Sequence, residues 1–194
     1  MTATLLLRGR ILACHACRLA TLREGIAVPG EGAHGGLGFI AEAPGYYEAQ
    51  QGRPLVGPAG GVFDRVLAAA GVHRAQVYVG NRVRCKPPAN RLADYPDAVY
   101  ACNTHTQSEL DLYAPRVVVL LGRTAYAPVF GDNAVWKVRG TWRATSATHE
   151  WGARTWTCTY HPAAALPRRK PELFDVMVED VVRAKEMCDE TSLT

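Results

Sequence analysis

Apolar residues gather in four short runs that read as buried strands: Gly38 to Ala41, Val77 to Val79, Val117 to Leu121, and Thr155 to Tyr160. Between them the apolar positions switch to helical spacing. Val62, Val66, Leu67 and Ala70 mark one amphipathic helix, and Phe174, Met177, Val178, Val181 and Val182 mark another. Strands alternating with helices require crossover connections, which predicts an α/β fold with a mainly parallel central sheet flanked by helices. The chain has 194 residues, enough for one sizeable core and short for two, so residues 1–194 read as a single domain. The Gly-rich stretch from Gly30 to Gly38 reads as a loop.

The residues that follow each strand bear on chemistry. Ala41 runs into Glu42, Val79 into Gly80-Asn81, Leu121 into Gly122, and Tyr160 into His161-Pro162. In an open parallel sheet ligands bind beyond the carboxyl ends of the strands, so Glu42, Asn81 and His161 can share one pocket. Taken singly, each is an ordinary cap or turn residue. Their common placement is the signal.

Charge adds little to this picture. The net charge is +4, with basic residues grouped at Arg82, Arg84, Lys86 and Arg91 and again at Arg168, Arg169 and Lys170. Such groups can hold phosphates, and a solvated charged surface is the plainer alternative. The apolar run Leu5 to Leu7 is broken by Arg8 and Arg10, too short for a signal core or a membrane span. A cytoplasmic protein with no membrane association is expected.

In that setting six cysteines argue for metal ligation over a disulfide framework. Cys14 and Cys17 form a C-x-x-C pair, with Cys85 and Cys102 well downstream. Four thiolates suit zinc or a four-iron cluster, and spacing alone does not choose between them. The lack of a second tight pair leans towards a cluster. Cys158, in a strand, and Cys188, on the last helix, read as packing residues.

Taken in order, these motifs resemble the family 4 uracil-DNA glycosylases from about Cys14 to the C-terminal helix. The match comprises CHAC at Cys14 to Cys17, AEAPGYYE at Ala41 to Glu48, and GRPLVGPAG at Gly52 to Gly60. It continues through GNRVRCKPPANR at Gly80 to Arg91, Cys102, and YHPAAAL at Tyr160 to Leu166. The resemblance implies a three-layer glycosylase fold and a 4Fe-4S cluster on Cys14, Cys17, Cys85 and Cys102. It also implies removal of uracil from DNA in base excision repair by a monomer, with uracil-containing DNA as the partner. Three positions depart from the family pattern. Ala41 replaces a glycine, Leu55 stands where a phenylalanine stacks on the base, and Ala163-Ala164-Ala165-Leu166 replaces a segment with two leucines after His161-Pro162.

The chemistry assigns roles within that frame. A base must leave the duplex stack to be cut, at a cost of about a few kcal/mol. The Asn81 amide offers the donor and acceptor that the O4 and N3 edge of uracil needs. His161 is the candidate donor to uracil O2, and Glu42 the carboxylate that positions water or offsets the cationic sugar. Ala43 lines the site where related families place an aspartate. Glu48 either faces uracil C5 or holds the loop, and Tyr46 and Tyr47 stand ready to exclude the thymine methyl group. Arg84, Lys86 and Arg168 are expected on DNA phosphates, with Leu166 as the wedge into the duplex. No lysine stands in a matched catalytic position, so a monofunctional hydrolase leaving an abasic site is expected. The alternatives are a DNA-binding module of the same fold with weak or lost catalysis, and a zinc-stabilised α/β protein with unrelated ligands.

Overall fold

A computed structural model describes residues 2–191. Two helices open the chain, α1 (Ala3–Leu12) and α2 (Arg18–Leu22). They are followed by strands β1 (Glu31–Gly32) and β2 (Leu37–Ala41), then helices α3 (Tyr46–Gln51) and α4 (Pro58–Ala69). Next come β3 (Tyr78–Asn81), α5 (Pro96–Tyr113), β4 (Val117–Leu121), α6 (Arg123–Phe130) and α7 (Val135–Val138). The chain ends with β5 (Arg143–Ala144), β6 (Thr155–Thr159) and α8 (Leu173–Glu190). Among the described residues no helix is long and apolar enough to cross a membrane.

The sheet order is β1-β3-β2-β4-β6-β5. The four inner strands are parallel and are the four read from the sequence, each within a residue or two. β2 and β4 are buried at every position, as strands covered on both faces should be. Two pieces escaped the sequence reading. β1 lies inside the glycine-rich stretch taken as loop and pairs antiparallel with β3, while β5 pairs antiparallel with β6. Each is two residues long and mostly exposed, so neither carries an apolar pattern to detect.

The sheet divides the core by alternation. Phe39, Val79, Val117, Val119 and Leu121 face α4 and α8, in one cluster with Phe63, Val66, Met177 and Val181. Ile40, Tyr78, Val118, Leu120 and Trp156 belong to a second cluster with Leu110, Tyr126 and Phe130 of α5 and α6. A third, smaller cluster joins α1 and α2 to the segment after β3, through Leu7, Ile11, Leu19, Val83, Cys85, Ala98 and Cys102. Full burial of each such aliphatic side chain contributes about 1.5–3 kcal/mol.

Topology makes the site. The chain leaves β2 for β3 on one side and returns to β4 on the other, so the strand order reverses at β2. A crevice opens beyond its carboxyl end at such a reversal. Ala41 and Asn81 are register partners there, and the pairing runs on past the strands: Arg82 N donates to Ala41 O at 2.8 Å and Val83 N to Glu42 O at 3.0 Å.

Candidate active site and cysteine corner

Asn81, Glu42, Gly122 and His161 end or follow four adjacent parallel strands. Neighbouring strands lie about 4.8 Å apart, so roughly 14 Å of backbone separates Asn81 from His161. Gly122 lets the ends of β4 and β6 close up: it has φ +85°, and a Cβ there would stand 2.9 Å from His161 Cβ. Only glycine combines that backbone with that approach.

His161 is held in one tautomer. It caps the 3-10 turn Pro162–Ala165, and its Nδ1 accepts the Ala163 amide at 3.1 Å. An Nδ1 that accepts is unprotonated, so the neutral ring carries its hydrogen on Nε2 and presents a donor. Burial lowers the pKa of His161, against the opposing pull of Glu42 and Glu48 and with help from Arg169. Glu42 follows β2, two strands along the sheet from the β6 end that carries His161. Glu42 also acts on Arg82, whose guanidinium donates to Thr124 O at 2.6 Å and lies over the Trp151 ring.

Asn81 is 2% exposed, and its Nδ2 is buried without a hydrogen-bond partner. An orphaned buried donor costs about 1–3 kcal/mol, so native structures rarely leave one. Here it sits at the crevice formed by the strand order.

Glu48 belongs to the loop. Its carboxylate accepts from Gly45 N at 3.1 Å, Val56 N at 2.9 Å and Gly57 N at 2.8 Å. It thereby ties the end of the β2 segment to the start of α4, where Gly57 caps and Pro58 takes the first turn. Of the two roles read for it, holding the loop is the one its contacts fill. Tyr46 and Tyr47 lie on the outer side of that loop, more than half exposed, with rings 5.5 Å apart.

Several expected contacts are placed differently. Leu55 is 5% exposed, with φ +49°, and belongs to the core cluster on the α4 and α8 side. As packed it offers a flipped base almost no surface. Ala43 is half-buried and packs against the third cluster. Leu166 packs partly on the first cluster and does not project freely as a wedge. Arg168 is exposed, as a phosphate contact requires.

Arg84 and Lys86 correct the basic-patch reading. Arg84 is 1% exposed, with Nη2 on Glu109 Oε2 at 2.7 Å, and Lys86 is 6% exposed, with Nζ on Glu24 Oε2 at 2.6 Å. Neither side chain reaches a phosphate in this conformation. Their alternation with Cys85 and Val83 along a run of like charges looks like surface, but the segment turns inward to form the third cluster. Sequence reasoning also passed over Glu109, Tyr78, Arg139 and Thr159. Thr159, the last residue of β6, donates to Asp180 Oδ2 at 2.6 Å, and Arg139 Nε meets the same oxygen at 3.0 Å. This ties α8 to the strand that carries His161.

The cysteines read as ligands converge at one corner. Cys85 and Cys102 are buried, Cys17 packs against them, and Cys14 follows α1 with its carbonyl 3.4 Å from Arg23 Nη1. Arg23 also donates to Cys85 Sγ at 3.7 Å. Burial raises the pKa of Cys85 and pushes Cys102 up to about 11; Arg23 and Arg84 oppose this, while neighbouring thiols add to it. The thiols that act on Cys85 are those of Cys17 and Cys14, and those that act on Cys102 are Cys85 and Cys17. Among the described residues, however, no group of three or more His, Cys, Asp or Glu side chains has the geometry of a metal-ion site. A single zinc draws four sulfurs to about 2.3 Å from one point. A cubane cluster keeps its four thiolates apart at four corners. The donor set fits a cluster: four thiols from distant segments, two of them buried, with a cation against one sulfur. Cys158 and Cys188 are buried elsewhere, in the strand and helix expected to pack them.

The model of the uracil DNA glycosylase superfamily matches residues 29–182. A type-4 uracil-DNA glycosylase of Sulfurisphaera tokodaii is 33% identical over 192 residues, covering 93% of this chain and 83% of that protein. One from Thermotoga maritima is 33% identical, covering 91% and 90%, and one from Pyrobaculum aerophilum is 36% identical, covering 87% and 86%. Matches of this extent, together with a parallel sheet that gathers Glu42, Asn81 and His161 at its carboxyl edge, establish that the chain belongs to the uracil DNA glycosylase superfamily.

Proposed function

We propose that the chain excises uracil from DNA as a monofunctional glycosylase, leaving an abasic site. The observation that carries this reading is the buried, unpartnered Nδ2 of Asn81 at the carboxyl edge of the sheet. Uracil O4 is the acceptor such a donor lacks, and uracil N3–H faces the amide oxygen beside it. The similarity to type-4 enzymes across most of the chain supports the same reading.

Bond cleavage leaves negative charge on the departing base and positive charge on the sugar. His161 Nε2–H is directed to uracil O2, where charge accumulates as the bond breaks. A fixed neutral donor of this kind needs no reorganisation during the reaction. Glu42, at the end of the β2 segment and with a charge that opposes the lowering of the His161 pKa, orients water and offsets the cationic sugar. Glu48 holds the loop between them in shape. Exposed Arg168 meets the DNA backbone, and extrusion of the base is completed by contacts in the pocket rather than by stacking on Leu55.

Cys14, Cys17, Cys85 and Cys102 would hold a 4Fe-4S cluster. Those four residues would thereby join the α1 and α2 segment to the chain after β3 and to α5, a folding role.

Asn81→Asp separates base reading from general DNA binding. An ionised carboxylate cannot donate to O4 and repels it, and a site that has lost a required hydrogen bond rejects its substrate by about 10⁴-fold or more. Single-turnover release of uracil is therefore expected to fall to the limit of detection, with affinity for undamaged DNA little changed. Uracil release by Asn81→Asp at the wild-type rate would remove Asn81 from the site.

A further inference from the structure

The basic residue expected on DNA is spent inside the protein. Arg84 Nη1 donates to the carbonyl oxygen of Asn81 and, at 3.2 Å, to Thr106 Oγ1; Nη2 donates to Glu109 Oε2 at 2.7 Å. The Glu109 carboxylate is filled by two further donors, the Tyr78 hydroxyl at 2.6 Å and the Gly30 amide at 2.7 Å. Thr106 in turn donates to Cys102 O at 3.2 Å and reaches Arg82 O at 3.3 Å. Arg84, Glu109 and Thr106 are each at most 1% exposed.

Such a network is expensive to bury, and well-packed apolar side chains in its place are often as stable or more so. Stability alone therefore does not account for it. What it contacts is specific: the backbone carbonyl of the residue whose side-chain amide is the orphaned donor. An amide reads a base edge only if its own position is fixed. A rigid guanidinium fork that holds strand, helix and carbonyl together can fix it.

We propose that Arg84, held in turn by Glu109, is a positioning residue for uracil recognition, clamping the Asn81 carbonyl so that the side-chain amide meets the base in one place. The inference rests on Asn81 reading uracil. Arg84 also links Asn81 to the cysteine-bearing α5, through Thr106 to the Cys102 carbonyl.

The test measures equilibrium binding of a strand carrying 2′-fluorodeoxyuridine, which resists cleavage, against the same strand with thymidine. Iron content and thermal unfolding are recorded for each protein. Two variants are used. Arg84→Lys keeps a positive charge beside Glu109 but loses the fork, and Arg84→Met with Glu109→Gln removes both charges so that neither is left buried alone. In folded, iron-loaded Arg84→Lys the preference for the uracil analogue is expected to fall by about tenfold or more, the range set by loss of a charge-assisted hydrogen bond. KM should rise more than kcat falls, and the double variant should lose preference at least as far. If the double variant does not fold, Arg84→Lys decides alone. A preference within twofold of wild type in folded, iron-loaded Arg84→Lys overturns the proposal. So does loss of preference only together with iron, which would assign Arg84 to the cysteines. Wild-type protein without any uracil preference would instead overturn the reading of Asn81 on which the inference stands.

Discussion

His161→Ala is expected to slow single-turnover uracil release by about 100- to 1,000-fold, the usual loss when one donor to a developing oxyanion is removed. Affinity for uracil-containing DNA should change far less, because the donor is assigned to charge that appears only as the bond breaks. The neutral tautomer adds a pH signature. Burial holds the His161 pKa below the ordinary histidine value, so the ring stays neutral through pH 7 and above. Protonation would place a hydrogen on Nδ1 facing the Ala163 amide and break the cap that orients the ring. The His161-dependent part of the rate should therefore be flat on the alkaline side of neutrality. It should decline only below the usual histidine range, as pH falls through the lowered pKa. A rate profile that instead falls as pH rises from 6 to 8 would mean that the imidazolium is the active form.

Cys85→Ser carries the second large effect, on the fold rather than on the reaction. Cys85 lies in the third core cluster with Cys102, Leu7, Ile11 and Leu19, so with Cys85 as the proposed ligand its loss should release the N-terminal helices as well as the metal. Structural metal sites contribute on the order of 10 kcal/mol of apparent folding free energy, comparable to the whole stability of a domain. Wild-type protein purified without oxygen should be brown, with about four irons per chain. The serine variant should lose iron and fall out of solution together. Full iron with an unchanged melting temperature in Cys85→Ser would exclude it as a ligand, and stoichiometric zinc in colourless wild-type protein would replace the cluster.

How much was legible in the sequence follows from what each residue has to satisfy. The inner strands and the helices α4 and α8 are written in periodicity, because burial on two faces or one leaves no choice of residue type. The grouping of Glu42, Asn81 and His161 followed from their place after strands and needed no side-chain detail. The errors at the basic residues share a cause: polarity was read as exposure. Arg84 and Lys86 look like a basic patch, yet each is buried against a carboxylate supplied from a distant segment. Two of the buried carboxylates, the Arg84 partner Glu109 and the Arg139 partner Asp180, left a trace that could have been used. Glu109 falls on the buried face of α5 with Cys102, Thr106 and Tyr113, and Asp180 sits on the apolar stripe of α8 between Met177 and Ala184. A carboxylate at a core position announces a buried partner, though not which one. The edge strands β1 and β5 left no trace at all, since backbone pairing alone makes them. Leu55 was read from resemblance as a surface for the base, but its left-handed backbone turns the side chain into the core.

Release of free base is the most direct test of what the chain does. Folded, iron-loaded protein in excess is incubated with oligonucleotides that carry a single uracil, thymine or cytosine at the same position, single-stranded and in duplex. The products are then resolved before and after alkali. Free uracil should appear in amount equal to the substrate, with the strand intact until alkali breaks it at the abasic site, and neither thymine nor cytosine should be released. Protein that retains its iron and binds the uracil strand yet frees no uracil would contradict glycosylase function and leave a DNA-binding module of the same fold.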